Sequence, residues 1–210
     1  MKLAPIRGYY PRGGGQVIVH VNPLERGKCL KAVQMLSRGP ILRVWGTAFV
    51  AGALPIKLAH VMAGRAREVI HRKLHGAGTS IGLDVSALKE PPGKAVATGS
   101  GINLFAETGE KCLLGANAVG SPKITPENVA EKAATDLIDH IDRGTCVDTH
   151  AQDQTVVLMA LASGTSKILS GDLTLHTRSA IYITELLTKV KFKEYDGILE
   201  CTGIGHASKA

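Results

Sequence analysis

Ile41–Val50, ILRVWGTAFV, leads within a few residues into Pro55–Leu74, PIKLAHVMAGRAREVIHRKL, and the change of period between them decides the fold. The first stretch is a continuous apolar run carrying Trp45 and Phe49 and reads as a strand. Pro55 sits where a first helical turn accepts it. Leu58, Val61, Met62, Val69 and Ile70 then recur at helical spacing through Ile56–Leu74. Ser80–Leu88 reads as a second strand, so the segment opens β-α-β. Gly101–Glu107 and Lys111–Val119 form a hairpin pattern around Thr108-Gly109-Glu110. Thr125-Pro126-Glu127 opens a second helix, with Thr125 as N-cap and Pro126 in the first turn. Its inward face is expected to be Val129, Ala133, Leu137 and Ile141, and Gly144 stops it.

The order β-α-β followed by β-β-α matches the core order of a thioredoxin-like unit, here without a redox cysteine pair. Order alone says nothing about activity. Downstream, Asp148–Ser163 reads as a helix, Ser166–Leu169 as a short strand and Thr177–Val190 as a second helix. Two closing strands, Lys191–Tyr195 and Ile198–Cys201, flank a turn at Asp196-Gly197. This α-β-α-β-β run lacks the first strand of a β-α-β-α-β-β unit, and the alternating stretch Gln16–Val21 is expected to supply it. The chain thus reads as α/β (α+β): an incomplete β-α-β-α-β-β repeat-type large domain with an inserted small thioredoxin-like α/β domain. Residues 1–39 would end one part of the large domain, 40–143 form the insert, and 144–210 form the final unit.

Within 210 residues, 44% hydrophobic content suffices for a core, but aromatics at 4% leave Val, Ile, Leu and Ala to fill it. No stretch approaches the roughly 20 apolar residues that cross a bilayer, and the opening residues lack the apolar segment of a secretory signal. The expectation is a soluble, intracellular protein with no membrane partner. Cys29, Cys112, Cys146 and Cys201 are widely spread without a CxxC pair, which argues against a zinc ribbon or a thioredoxin-type redox pair and reads as reduced thiols, Cys112 in a buried strand. A formal charge of +7 favours a polyanionic partner such as nucleic acid.

Three features could carry chemistry. His176 follows Leu173-Thr174-Leu175 and precedes a helix expected near Thr177, beside free backbone N–H groups that favour a phosphate. Imidazole is a competent nucleophile, and helix capping is the plainer alternative. In His150-Ala151-Gln152-Asp153-Gln154, Asp153 and Gln154 stand near a helix start, where they could orient an imidazole, bind a metal, read a nucleotide or simply cap; His150 and Gln152 are less informative. Arg7-Gly8-Tyr9-Tyr10-Pro11-Arg12-Gly13-Gly14-Gly15 offers backbone freedom, a possible anion concavity and two arginines, but no GKS or GKT follows. His60, His71 and His75 fall on helical faces with no fourth ligand, and no metal site is read from them.

Arg7-Gly8-x-x-Pro11-x-Gly13-Gly14-Gly15-x-Val17 resembles the signature of RNA 3'-terminal phosphate cyclases. Phe49-Val50-Ala51-Gly52, Gln152-Asp153-Gln154, Met159-Ala160-Leu161-Ala162 and Leu175-His176-Thr177 recur in the family order, so the resemblance runs over nearly the whole chain. It implies an ATP-dependent enzyme of the ligase class in which His176 attacks the α-phosphate of ATP, giving a histidine–AMP intermediate. It further implies ATP contacts at His150, Asp153 and Gln154, a divalent metal (Mg2+ or Mn2+), an RNA with a 3'-terminal phosphate as partner, and nuclear (nucleoplasmic) localisation, with the cytoplasm as the alternative. The His150 position usually holds Tyr. Family members carry well over a hundred residues before the glycine motif, so the isolated chain is expected to be poorly stable or inactive. The alternatives are a non-catalytic, cyclase-like ribosome-biogenesis protein, which would lack the nucleophilic histidine, and an enolpyruvyl-transferase relative.

Overall fold

A computed structural model describes residues 6–74 and 81–209. They form two compact units. The first gathers residues up to Val21 with Ile41–Glu107 and Gly115–Ile141; the second comprises Asn22–Pro40, Thr108–Leu114 and Asp142–Ala210. Residues 6–21 therefore belong with the first unit, whereas the sequence assigned 1–39 to the large domain.

In the first unit, β2 (Ile41–Ala51) pairs in parallel with β3 (Gly82–Lys89), Arg43 opposite Gly82 through to Val50 opposite Lys89. A parallel pair needs a crossover, and α1 (Ile56–Leu74) provides it. The helix buries Ala59, Met62, Ala63, Ala66 and Ile70. Its seam is therefore mostly alanine, whereas the large residues Leu58, Val61 and Val69 sit at its half-buried margins. β4 (Gly99–Thr108) and β5 (Leu113–Val119) form a hairpin closed at its open end by Gly120 N–H to Ser100 O; its tip, Thr108–Leu114, where Thr108 N–H donates to Cys112 O, belongs to the second unit. The sheet order is β3-β2-β4-β5. Burial alternates along β4 at Ile102, Leu104 and Ala106, and along β5 at Leu114, Ala116 and Ala118. Helix α2 (Pro126–Asp142) begins where expected, Thr125 Oγ1 accepting from Asn128 N–H at 3.3 Å. The expected inward residues Val129, Ala133, Leu137 and Ile141 are all buried, joined by Ala130, Ala134 and Ile138.

In the second unit the sheet order is β1-β6-β8-β7. Here β1 (Gln34–Met35) runs parallel to β6 (Ser163–Leu169), with Gln34 opposite Lys167. β8 (Ile198–Ile204) lies antiparallel between β6 and β7 (Phe192–Tyr195). With α3 (Gln152–Leu161) and α4 (Leu175–Thr188) the chain order is β-α-β-α-β-β. The first strand is thus supplied by Gln34–Met35 and not by Gln16–Val21. Val33 and its neighbours hold the position, since Lys167 N–H donates to Val33 O and Ser163 N–H to Leu30 O. Among the described residues Gln16–Val21 pairs only at an isolated bridge from Ile6 to Gln16, and Val17, Ile18, Val19 and Val21 are exposed. An alternating pattern marks a strand only where a ladder partner is present.

Helix limits also shift. α3 starts at Gln152 and not near Asp148, because Asp148 Oδ1 accepts the N–H groups of His150 and Ala151 at 2.9 and 2.8 Å and holds a turn ahead of the helix. α4 runs from Leu175 to Thr188, two residues earlier than expected at each end. Thr174 is its N-cap and Lys189 its left-handed C-cap at φ 63°. Asp196 and Gly197, at φ 50° and 72°, make the expected tight turn between β7 and β8. The core collects Val156, Met159, Ala160, Ile168, Val190, Leu199 and three cysteines.

Gly203 on β8 lies under the end of α3. A Cβ there would fall 2.3 Å from Ala162 O, 2.5 Å from Met159 O and 2.9 Å from Ala160 O. Those are backbone atoms and cannot rotate away. Gly203→Ala is expected to destabilise the chain by about 3 kcal/mol, the upper end for overpacking, read as a fall in urea midpoint; an unchanged midpoint would remove this close approach.

Candidate active site at the first turn of α4

The segment Thr174-Leu175-His176-Thr177 builds the start of α4. Thr174 is extended (ψ 163°), and its Oγ1 accepts from Thr177 N–H at 3.1 Å while its carbonyl accepts from Arg178 N–H at 3.0 Å. His176 is therefore the second residue of the helix. It does not precede the helix. Its ring is exposed, and Leu175 beside it is 80% exposed. Among the described residues neither the N–H of Leu175 nor that of His176 has an acceptor, as the helix geometry requires of first-turn amides. Two free donors at the positive end of a 14-residue helix stand next to an accessible imidazole.

What holds this turn in place is Gln152, 1% exposed. Its Nε2 donates to Ser170 O at 3.0 Å and to Asp172 O at 3.1 Å. Its Oε1 accepts from Thr174 N–H at 3.0 Å and from Thr177 Oγ1 at 2.6 Å. The loop is anchored again by Ser170 and Gly171 N–H, both donating to Gly197 O at 2.9 Å. Gln152 is the first residue of α3, so α3 and α4 begin side by side.

Asp153 and Gln154 follow in the first turn of α3, the carboxylate half-buried and the amide exposed. Gln154 Nε2 donates to His150 O at 2.8 Å. His150 is exposed in the turn that precedes the helix. The four residues singled out by sequence thus sit at the starting ends of two neighbouring helices. No side-chain hydrogen bond joins Asp153 or His176 to another described residue; His176 is exposed and Asp153 half-buried. Gln152 was missed. The available signal was its spacing: Gln152, Val156, Met159 and Ala160 share the buried stripe of α3, and a polar residue on such a stripe must find partners.

The glycine motif lies in the first unit. Gly13 and Gly14 adopt φ 61° and 71°, and Gly13 N–H donates to Tyr9 O at 2.8 Å. Arg7 is engaged by the Glu90 carboxylate at 2.5 Å and lies 3.8 Å over the Phe49 ring. Its guanidinium is therefore already paired, and the expectation that both arginines serve an anion narrows to Arg12. Among the described residues no three His, Cys, Asp or Glu side chains gather as a metal would require. His75 lies outside the described residues.

Cys112, Cys146 and Cys201 are buried. Burial, then the neighbouring Cys112, pushes the Cys146 thiol up to about 12; burial, then Glu185, pushes Cys201 up to about 11. Both stay protonated through neutral pH, the opposite of an activated nucleophile. At pH 8 an alkylating reagent should modify only the half-buried Cys29 in the native chain and all four cysteines in urea, as counted by intact mass.

Residues 36–142 match the family model described as RNA 3'-terminal phosphate cyclase (RTC), insert domain. The match spans β2 to α2. The chain belongs to the RNA 3'-terminal phosphate cyclase family. Similar relatives include the RNA 3'-terminal phosphate cyclase of Drosophila melanogaster, 36% identical over 207 residues, covering 96% of this chain and 55% of the relative. The probable cyclase of Dictyostelium discoideum is 30% identical, with 95% and 47% covered. That of Staphylothermus marinus is 35% identical, with 95% and 56% covered. The chain spans about half the length of these cyclase relatives.

Since Gln152 ties the start of α4 into this cyclase-family unit, its replacement separates one knot from many contacts. Gln152→Leu strands two carbonyls, an N–H and a hydroxyl in the core, and should cost about 3 kcal/mol or more. Thr177→Val removes one hydroxyl and should cost about 1 kcal/mol. Equal losses for the two variants in urea unfolding would show that the amide is not the organiser.

Proposed function

We propose that this chain carries the nucleotide-accepting end of an ATP-dependent RNA 3'-terminal phosphate cyclase, with His176 as the nucleophile and ATP as co-substrate. The observation that supports it most is the placement of an exposed imidazole in a capped first helical turn whose two N–H groups lack acceptors among the described residues. Such a turn attracts a phosphate. An imidazole nitrogen attacks the α-phosphorus of ATP, an N–P bond forms, the bond to the β-phosphate oxygen breaks, and pyrophosphate leaves. An oxygen of the RNA 3'-phosphate then takes the adenylyl group and frees the histidine. The adjacent 2'-hydroxyl attacks the activated 3'-phosphorus, AMP leaves, and a 2',3'-cyclic phosphate remains.

In this reading Asp153, Gln154 and His150, at the start of α3, contact the nucleotide, and Gln152 is a positioning residue. A divalent metal is part of the family expectation, and the chemistry it would supply is to offset the negative charge of the phosphates.

The test uses a chimera in which this chain replaces the matching part of the Drosophila relative. Incubation with ATP labelled at the α-phosphate should transfer the label to protein through an acid-labile, alkali-stable bond. His176→Ala should reduce labelling by at least a hundredfold, a loss of the order expected for removing a covalent nucleophile. Label retained at parental level in that variant would remove His176 from the reaction. A chimera that is never labelled but still binds RNA would favour the non-catalytic branch.

A further inference from the structure

A pocket in the first unit has no part in the chemistry assigned to His176. Its volume is about 480 Å³, and every residue that lines it belongs to that unit. One wall is the Tyr9 ring, packed so closely on Gly99 that a Cβ there would fall 2.2 Å from Tyr9 Cδ1. Leu54, Leu58 and Val119 make the lining largely apolar, while Thr98 and Ser121 contribute hydroxyls. At the mouth stands Tyr10, 96% exposed, and the same ring borders a second recess with Arg12 and Thr98.

An aromatic ring left this open has no packing role in its own unit, and removing it from water against another flat ring is favourable. Basic residues flank the lining residues in sequence. Arg12 borders the second recess, Lys57 precedes the lining residue Leu58, and Lys123 lies between the lining residues Pro122 and Ile124. All three are exposed and form no ion pair among the described residues; the neighbouring acid is Glu127 in the first turn of α2. Arg7 and Glu90 neutralise each other below the loop.

We propose that this pocket takes an unpaired base of single-stranded RNA, stacked on Tyr10 and lodged against Tyr9, with Arg12, Lys57 and Lys123 near the adjoining phosphates. The proposal rests on the reading of the chain as part of an RNA cyclase and adds a substrate contact remote in sequence from His176. The volume suits a nucleoside. A base inside a duplex is already stacked on its neighbours and cannot enter a recess, so the site selects single strands. Stacking tolerates every base, so binding should depend weakly on sequence and fall steeply with salt.

The 210-residue chain is titrated against a fluorescein-labelled single-stranded RNA decamer ending in a 3'-phosphate, followed by anisotropy. Tyr10→Ala should weaken binding about tenfold, within the range for loss of one base–aromatic stack. Tyr10→Phe should bind as the parent does. Since Tyr10 is exposed, both variants should keep the parental circular dichroism spectrum. A 4-thiouridine in the decamer should photocross-link to Tyr9, Tyr10 or their pocket neighbours. Absence of RNA binding, parental affinity in Tyr10→Ala, equal affinity for a duplex, or cross-links confined outside the first unit would each overturn the proposal. Adenylate labelling of the chimera is scored separately. Loss of labelling in His176→Ala with parental RNA affinity in Tyr10→Ala refutes the pocket alone, and the reverse pattern refutes the nucleophile alone.

Discussion

The side-chain amide of Gln152 is the interaction on which the candidate site depends. A glutamine offers two N–H donors and an oxygen with two lone pairs, and here all four are used inside the protein, on Ser170 O, Asp172 O, Thr174 N–H and Thr177 Oγ1. A fully satisfied polar group in a low-dielectric core stiffens what it joins. What it joins is the exit of β6, the loop to α4, and the cap of α4. Glutamate in this place would lack both donors, and leucine would lack every partner. The remaining polar atoms of the turn are arranged around this choice: Thr177 is completely buried because its hydroxyl lies between Gln152 and Thr174.

Packing in the first unit follows from how few aromatics the chain has. With 4% aromatic residues, packing density must come from close approach. α1 presents Ala59, Ala63 and Ala66 to its sheet, and α2 presents Ala130, Ala133 and Ala134. Gly46 on β2 permits the same at the strand level, since a Cβ there would fall 2.3 Å from Asn103 O. Each alanine buries little apolar area, but short helix–sheet distances raise the number of atoms at van der Waals separation. Trp45 and Phe105, stacked at 5.7 Å, are the one aromatic pair the described residues show.

Elements marked by period and punctuation were legible: the α1 limits, the Thr125 cap of α2 and the Asp196-Gly197 turn all lie where pattern places them. The α1 seam was less so, because a search for large apolar residues selects Leu58 and Val61 and overlooks the alanines that are buried. Gln16–Val21 misled for a different reason. Alternation records a preference for a two-faced strand, but hydrogen-bond partners come from elsewhere in the chain, and the sheet of the second unit recruits Gln34–Met35. The helix start near His176 was misplaced because Thr174 and Thr177 are both good caps, three residues apart. Only the side-chain bond from one to the other's N–H decides between them. Gln152 was illegible as an organiser for the same cause, since its partners lie 18 to 25 residues away.

A histidine in a helix's first turn combines two properties that a transfer reaction in two steps requires. Its backbone is immobilised by the cap and by the Gln152 knot, so little further order is needed when a phosphate meets the free N–H groups. Its ring, in contrast, bonds to no described side chain and retains its rotamers. Under the proposed reaction the ring must face ATP in one step and an RNA end in the next. A ring clamped by a protein carboxylate would be well aligned for only one of them. Rigidity in the turn and freedom in the side chain therefore belong together, and a loop-borne histidine would offer only the second.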